Sequence, residues 1–312
     1  MNILVMGAGA LGGYFGGRLA GAGHNVTFVA RGAHLEAMQR DGLKIESPTG
    51  NLHLPKVQAV GQPEPDGSAE IVLFLVKNFD VESAAQSLLP CLNPNSVNVT
   101  LQNGVSTPQR LGEIVGPECV APGIAFIPAT VREPGVILHG AALQRLAFSK
   151  GTEANADRIN MLASALREVG AEVTVSDDVQ VMLWSKFVFL SALSALTTLT
   201  RLDVGPVRDT PETAALFRQA MEETAAVGKV LCPDLPESTV DEQWQFLLSL
   251  PDTVHASMLD DLNNGKPLEL NYLSGDVSRL GRENGILTPL HDFVTATLQP
   301  FVNGAPDAGR GV

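Results

Sequence analysis

Three glycines near the start of the chain constrain its fold more than any other feature of the sequence. An apolar run over residues 3–6 leads into Gly7-Ala8-Gly9-Ala10-Leu11-Gly12, and small and apolar residues then continue at helical spacing. A helix break and a second apolar run, Val26 to Ala30, follow. The pattern predicts strand, tight turn, helix and strand, a βαβ unit whose two strands run parallel in one sheet.

The spacing of Gly7, Gly9 and Gly12 is GxGxxG in the context that gives this motif its meaning. The first glycine permits the turn, the second lets a pyrophosphate approach the backbone, and the third packs helix against strand. Amide groups at the helix start also offer a local anion site in a chain of net charge −13. We therefore predict a dinucleotide site over the whole loop, Gly7 to Gly12, rather than a purely structural turn.

Arg31 follows the second predicted strand, where NAD-binding units usually carry the Asp or Glu that binds the ribose 2′-hydroxyl. A guanidinium at this position can pair with a 2′-phosphate. No carboxylate follows it in sequence before Glu36, so we expect none to oppose that phosphate. The sequence therefore predicts NADP(H) as the cofactor, with a solvated surface arginine as the alternative interpretation of Arg31.

Further short apolar runs, Ile71 to Val76 and Val97 to Leu101, predict two more strands of the same sheet. The stretch Leu43 to Val60 predicts a hairpin insertion, and residues 118–150 predict shorter mixed strands that close the first domain.

After about residue 176 the pattern becomes helical. The predicted helices are Asp178 to Leu199, Pro211 to Val230, Pro236 to Leu250, Thr253 to Asn263, Leu268 to Glu283 and Pro289 to Val302. The expected fold class is α/β, with a Rossmann-type dinucleotide-binding domain over residues 1–176. An all-helical substrate and catalytic domain is expected over residues 177–312, with the active site in the cleft between the two domains.

Polar residues follow two of the predicted strands. Lys77 ends the strand that begins at Ile71, and Gln102-Asn103-Gly104 ends the next. Open α/β sheets bind their ligands at the carboxyl ends of strands, so Lys77 and Asn103 are predicted beside the nicotinamide half of the cofactor. A solvated cap for Lys77 and a plain turn for Asn103-Gly104 remain the alternatives.

Lys186 lies within a strongly apolar helix, where a charge is costly to bury without a partner. A proton donor in a cleft is one interpretation, and a side chain that reaches solvent is the other. Glu269 is the candidate partner, although a carboxylate at a helix start also complements the helix dipole. Ser257 is the weakest candidate taken alone, because most helical serines are merely exposed.

Taken together, these residues resemble the ketopantoate reductases (2-dehydropantoate 2-reductases) along essentially the whole chain. The matching segments are Gly7 to Gly12, Arg31, Lys77, Gln102-Asn103-Gly104, Leu183-Trp184-Ser185-Lys186, Ala256-Ser257-Met258-Leu259 and Glu269-Leu270-Asn271-Tyr272. The resemblance implies an NADPH-dependent reduction of 2-dehydropantoate to pantoate, on the route to pantothenate and coenzyme A.

The resemblance also implies a role for each site residue. Lys186 becomes the general acid for the ketone oxygen, and Glu269 becomes a substrate-binding carboxylate that orients the site. Asn103 and Lys77 lie between nicotinamide and substrate, and Ser257 binds the substrate by a hydrogen bond. An ammonium suits this chemistry, because hydride transfer to a carbonyl carbon develops negative charge on the oxygen. A lysine with the ordinary pKa of about 10.4 is protonated at neutral pH.

Several positions depart from the family pattern. Leu190 and Ser194 lie four and eight residues after Lys186, where well-known members carry asparagines that contact the substrate. Val254 stands where a further asparagine is expected, and Asn271 replaces a common aspartate. Ser194 is retained as a substrate-binding candidate, but the pocket is more apolar than expected. Each lost hydrogen bond costs roughly 1 kcal/mol, enough to change the preference among 2-oxo acids.

Two alternative functions stay open. The first is a reductase of the same fold that acts on a different 2-oxo acid. The second is a non-catalytic NADPH-binding sensor, which would need the glycines and Arg31 but would not need Lys186 and Glu269 together.

Composition limits the partners. A net charge of −13 argues against nucleic acid or an anionic membrane as a ligand, because both need clustered Lys and Arg. The three cysteines are far apart in sequence and predict no metal site. Without a basic leader or an apolar run of membrane-spanning length, the expected location is the cytoplasm. The apolar run Phe187 to Leu199 is compatible with a homodimer.

Overall fold

The computed structural model describes residues 1–306, which divide into two compact units. The first unit comprises Met1–Gln102 and Thr107–Val179, and the second comprises Asn103–Ser106 and the described residues from Gln180 onward. The short stretch Asn103–Ser106 therefore belongs to the second unit, although residues of the first unit flank it on both sides in sequence.

The first unit contains two sheets. Its strands are β1 (Asn2–Met6), β2 (Asn25–Val29), β3 (Leu43–Glu46), β4 (Leu52–Leu54), β5 (Gln58–Val60), β6 (Ala69–Phe74), β7 (Leu92–Thr100), β8 (Val120–Phe126), β9 (Ala129–Glu133), β10 (Val136–His139), β11 (Arg145–Ser149) and β12 (Glu172–Ser176). The larger sheet has the order β12-β11-β8-β7-β6-β1-β2-β5. Its neighbouring strands run parallel except β8 and β11, so the predicted parallel sheet is confirmed.

The smaller sheet has the order β4-β3-β10-β9. β3 and β4 form an antiparallel hairpin, but the hairpin predicted for Leu43 to Val60 ends at Leu54. The last part of that stretch, β5, instead pairs in parallel with the edge strand β2 of the larger sheet. The turn signal at Pro48-Thr49-Gly50 identified the hairpin, whereas no local pattern of residues indicates the change of sheet.

Both faces of the larger sheet are covered by helices. The helices of the first unit are α1 (Ala10–Gly21), α2 (Gly32–Asp41), α3 (Val81–Leu88), α4 (Thr107–Val115) and α5 (Ala156–Glu168). Along β1, Ile3 and Val5 are buried in a core that includes α1, whereas Leu4 and Met6 are buried in a core that includes α3. Strands buried on both faces read as continuous apolar runs, which is why the sequence predicted them.

The turn from β1 into α1 depends on two glycines. Gly7 has a φ of 103°, and a Cβ there would lie 2.8 Å from the backbone of Leu75. A Cβ on Gly12 would overlap the carbonyl oxygen of Gly7 and lie 2.7 Å from Cγ1 of Val5. Gly9 differs, because a Cβ there would meet no described atom within 4 Å. Gly7 and Gly12 are thus required by packing, and the space beside Gly9 is open.

We expect Gly12→Ala to destabilise the first unit by about 1–3 kcal/mol or more, because the added methyl overlaps fixed backbone. Chemical denaturation followed by circular dichroism measures this free energy. Gly9→Ala is the matched control and should leave the unfolding free energy nearly unchanged. Equal stability of the two variants would contradict the packing argument.

Every regular element described in the second unit is helical, and the predicted all-helical domain is confirmed. Its helices are α6 (Val179–Thr200), α7 (Val204–Asp209), α8 (Pro211–Leu231), α9 (Thr239–Ser249), α10 (Ser257–Asn263), α11 (Ser274–Glu283) and α12 (Pro289–Leu298). α7 was not predicted. The helix predicted for Leu268 to Glu283 is divided into a 3-10 turn, Leu270–Tyr272, and α11.

α6 is the central helix of the second unit. Its 22 residues are long and apolar enough to cross a membrane, so the expectation that no run reaches that length is wrong. However, 67% of its most apolar window is buried within the protein, as in the core helix of a water-soluble unit. Phe187, Val188 and Leu196 lie in one core with residues of α8 and α12. The run Phe187 to Leu199 is thus largely buried within the protein itself, and the homodimer stays a prediction.

Candidate active site

In the first unit, the loop Gly7 to Gly12 forms a cradle at the start of α1. Gly9 is the N-cap residue of α1 and is exposed, and the first turn of the helix carries no acidic side chain. Ala8 is buried, and its N–H donates to the carbonyl of Val29 at 2.9 Å. Ala10 and Leu11 begin the helix and are half-buried. The loop therefore presents backbone beside an open space, as anion binding at a helix start requires.

His34 on α2 holds this loop in place. Its Nε2 lies 2.9 Å from the carbonyl oxygen of Ala8, and its Nδ1 accepts from the N–H of Gly135 at 3.1 Å. Burial lowers the pKa of His34, which favours the neutral ring with the proton on Nε2. Sequence reasoning missed this residue, since Gly135 is 101 positions away and no local pattern connects the two.

Arg31 lies two residues beyond the end of β2 and is exposed. Its Nη1 lies 3.2 Å from Oδ1 of Asp80, in a 3-10 turn, Asn78–Asp80, that follows β6. β2 and β6 both pair with β1, so their carboxyl ends meet at one edge of the sheet. The expectation that no carboxylate lies near Arg31 is therefore wrong. Comparing the ends of neighbouring predicted strands could have identified Asp80.

The turn that carries Asp80 is fixed by a buried residue. Asn78 is 1% exposed, and its Oδ1 accepts a hydrogen bond from the hydroxyl of Thr107. Its carbonyl oxygen accepts from Nη2 of Arg110 at 2.8 Å. Lys77 precedes the turn and is exposed, and its carbonyl accepts from the N–H of Asp80 at 2.9 Å. Lys77 thus lies at the carboxyl end of the sheet, directly before the turn that carries Asp80.

In the second unit, Asn103 is held by the loop that contains it. Gly104 has a φ of 97°, and a Cβ there would lie 2.8 Å from the carbonyl oxygen of Tyr272. Val105 packs against the core of the second unit. The loop therefore lies directly against the segment that contains Glu269, because Tyr272 ends the 3-10 turn that Glu269 caps.

Lys186 on α6 donates from Nζ to Oδ1 of Asn103 at 3.1 Å. Burial lowers the pKa of this lysine from its ordinary value to about 8, because desolvation penalises the ammonium. The amide oxygen that accepts its hydrogen bond is neutral, so it compensates that penalty less than a carboxylate would. At neutral pH most of the lysine is still protonated, and its proton is more readily given up than that of an exposed lysine.

The remaining candidates also lie in the second unit. Glu269 is 8% exposed and precedes the 3-10 turn, while Ser257 is exposed at the first position of α10. Ser194 is fully buried and donates to Sδ of Met258 at 3.6 Å. That contact joins the Lys186 helix to the start of α10, next to Ser257. Within the second unit, the structure therefore brings Asn103 and Lys186 into direct contact. The segment that contains Ser257 packs against the Lys186 helix, and the segment that contains Glu269 packs against the loop of Asn103.

The sequence matches two models of known families. The ketopantoate reductase PanE/ApbA model covers residues 3–153, and the ketopantoate reductase PanE/ApbA C terminal model covers residues 178–301. The chain belongs to the ketopantoate reductase family. This confirms the resemblance inferred from the motifs, and it identifies the protein as a member of an oxidoreductase family.

Related proteins match the chain over nearly its whole length. A 2-dehydropantoate 2-reductase of Mesorhizobium japonicum is 29% identical over an alignment of 320 positions, which covers 96% of this chain and 97% of the relative. A crystal structure of a PanE/ApbA family ketopantoate reductase from Ralstonia eutropha JMP134 has a TM-score of 0.88 at 31% identity, covering 96% and 98% of the two chains. D-mandelate dehydrogenase with NADH and anilino(oxo)acetate has a TM-score of 0.87 at 21% identity, covering 96% and 98%, and shares the fold.

The lowered pKa of Lys186 predicts how stability depends on pH. Below about pH 8 the desolvation cost of the ammonium is fully present, and it is relieved between pH 8 and 10.5, where only the folded state has lost the proton. Lys186→Met should therefore raise the unfolding free energy at neutral pH, by on the order of 2 kcal/mol, and the advantage should shrink as the pH rises through that window. Urea denaturation at several pH values measures the difference.

Lys266→Met is the matched control, because it removes an exposed lysine from the same unit. Its stability should follow the parental protein at every pH. If the unfolding free energies of Lys186→Met and the parental protein differed by the same amount at every pH, the assigned pKa shift would be contradicted.

Proposed function

We propose that this chain is a cytoplasmic, NADPH-dependent reductase that converts 2-dehydropantoate to pantoate for pantothenate and coenzyme A biosynthesis. The observation that carries the proposal is the pair of Lys186 and Asn103, in which a half-buried lysine with a pKa lowered to about 8 is oriented by an amide oxygen. A reductase of this family needs such a proton donor, whereas a sensor that only binds NADPH does not.

The residues of the first unit fit a dinucleotide. The open space beside Gly9 and the uncapped start of α1 suit a pyrophosphate, and the exposed Arg31 suits a 2′-phosphate. In the described residues, Oε1 and Nε2 of Gln102, at the carboxyl end of β7, are buried without a hydrogen-bond partner. Such atoms support a ligand at that end of the sheet, because buried polar groups are normally satisfied. When bound, the cofactor supplies the hydride.

The chain's own residues would supply and direct the proton. As hydride reaches the keto carbon, its oxygen gains negative charge, and the ammonium of Lys186 stabilises that charge and transfers a proton to it. The lysine is left as a neutral amine and regains a proton from water. Asn103 accepts one N–H of the ammonium and thereby orients the lysine side chain.

Glu269 and Ser257 are assigned to the substrate. The substrate carries a hydroxyl group, which can donate to a carboxylate such as Glu269, and the exposed hydroxyl of Ser257 can bind the substrate carboxylate. Lys77 is assigned to the cofactor end of the reaction. These roles are part of the proposal and follow from the family resemblance.

A second candidate is the reduction of a different 2-oxo acid. It is favoured by Leu190 and Val254, which pack against the core of the second unit, and by Ser194, whose hydroxyl is directed to Met258. These side chains offer fewer hydrogen bonds than the asparagines expected there. A site with fewer polar groups discriminates less strongly in favour of a substrate hydroxyl.

The deciding experiment measures initial rates of NADPH oxidation with 2-dehydropantoate and with a panel of 2-oxo acids that includes pyruvate, 2-oxoisovalerate and phenylglyoxylate. The proposal expects the highest kcat/KM for 2-dehydropantoate with NADPH. Faster turnover of another acid would establish the second candidate. Binding of NADPH without turnover of any acid would overturn both and favour the sensor.

The pH dependence of the rate tests the proton donor. Since Lys186 donates only when protonated, kcat/KM should fall as the pH rises through about 8. Lys186→Ala should lower kcat by about 10²- to 10⁴-fold and abolish this dependence, while NADPH affinity, measured by fluorescence titration, stays nearly unchanged. Normal turnover in Lys186→Ala would overturn the assignment.

A further inference from the structure

The ion pair between Arg31 and Asp80 places opposite charges at the point where this fold distinguishes its two nucleotide cofactors. In NAD-binding units a carboxylate at the end of the second strand accepts a hydrogen bond from the ribose 2′-hydroxyl. Here that position carries Arg31, and a carboxylate reaches the same place from the turn after β6. The side chains are 62% and 31% exposed, so both remain accessible to a ligand.

Asp80 is held at this place by more than its ion pair. Its N–H donates to the carbonyl of Lys77, and its own carbonyl accepts from the hydroxyl of Ser83 at 3.1 Å. The buried Asn78, held by Thr107 and Arg110, anchors the same turn. The carboxylate therefore extends from an anchored backbone and stays near Arg31 when a ligand binds there.

A 2′-phosphate and Asp80 would compete for the same guanidinium. A phosphate monoester carries close to two negative charges at neutral pH, so it is attracted by Arg31 and repelled by Asp80. A ribose 2′-hydroxyl carries no charge and can donate a hydrogen bond to the carboxylate. The interaction with Asp80 is therefore repulsive for the 2′-phosphate of NADP(H) and attractive for the 2′-hydroxyl of NAD(H).

We propose that Asp80 is a specificity-determining residue of the dinucleotide site. Asp80 weakens the binding of NADP(H) and strengthens the binding of NAD(H). It thereby reduces the preference for NADP(H) over NAD(H) that Arg31 creates. The proposal rests on the proposed function only in assuming a dinucleotide ligand. It concerns the choice between two cofactors and does not depend on the identity of the 2-oxo acid.

Isothermal titration calorimetry with NADP⁺ and NAD⁺, in the absence of substrate, tests the proposal. Asp80→Asn removes the charge and keeps the shape. It should tighten NADP⁺ binding by roughly 2- to 5-fold, the range typical of exposed charge pairs, and weaken NAD⁺ binding by a similar factor. The ratio of the two dissociation constants should then shift by roughly 4- to 25-fold, less at high salt.

Glu36→Gln is the matched control, because it removes an exposed carboxylate from the neighbouring helix α2. It should leave the ratio unchanged if pairing with Arg31, rather than general charge, is responsible. The double variant Arg31→Ala, Asp80→Asn separates the two effects of Asp80. Asp80→Asn should increase NADP⁺ affinity less when it is added to Arg31→Ala than when it is made in the parental protein. In the Arg31→Ala background there is no guanidinium for the loss of Asp80 to release from its ion pair.

Two results would overturn the proposal: an unchanged ratio of the two dissociation constants in Asp80→Asn, which includes an equal change in both affinities, or an equal change of that ratio in Glu36→Gln. Thermal unfolding of each variant checks that it is folded, and Asp80→Ser replaces Asp80→Asn if it is not. The outcome is separable from that of the proposed function. If the protein does not reduce 2-dehydropantoate, a shift in the ratio of the NADP⁺ and NAD⁺ dissociation constants still supports the role of Asp80. If that ratio does not shift, the assignment as a reductase is unaffected.

Discussion

The first unit depends on the close approach of backbone at the turn from β1 into α1. Gly12 packs against the carbonyl of Gly7, and Gly7 packs against the backbone after β6, so no side chain fits at either position. This contact fixes the direction of α1 and leaves the backbone of Gly9 open. An accessible helix start at this turn thus follows from packing, because the same contacts that close the fold leave the backbone of Gly9 open, as the dinucleotide site proposed above requires.

The second unit is organised around a different constraint, a single ammonium in an apolar helix. α6 is the central helix of the unit, and 67% of its most apolar window is buried. Lys186 interrupts this pattern at an energetic cost, which is expressed in its lowered pKa. The loop that holds Asn103 is itself anchored by Val105 and by the close packing of Gly104. The hydrogen bond between lysine and asparagine is therefore held from both sides.

Much of this arrangement was predictable from sequence. Continuous apolar runs identified the buried parallel strands, and periodicity with Pro and Gly breaks identified six helical segments of the second unit. α7 was missed because its six residues are too few to reveal a period. The 3-10 turn before α11 was read as helix, since the boundary between the two is set by local packing rather than by composition. The short strand β5 was assigned to a hairpin because sequence cannot identify an open sheet edge.

The candidate residues divide in the same way. The family could be identified from residue types and their order alone: the glycine loop, Arg31, Lys77, Asn103, Lys186, Ser257 and Glu269. The partners were not: Asp80 lies 49 positions from Arg31, and His34 lies 26 positions from the carbonyl it binds. The hydrogen bond from the hydroxyl of Ser194 to Met258 could not be predicted from the sequence either.

Sequence alone thus determined most of the elements, the fold class and the chemical identity of the candidate groups, because these depend on local periodicity and on residue type. Tertiary structure decided which charge meets Arg31, which amide meets Lys186 and how far the pKa of that lysine falls. Those quantities depend on distance and desolvation, and both are set by strand order and packing between residues far apart in the chain.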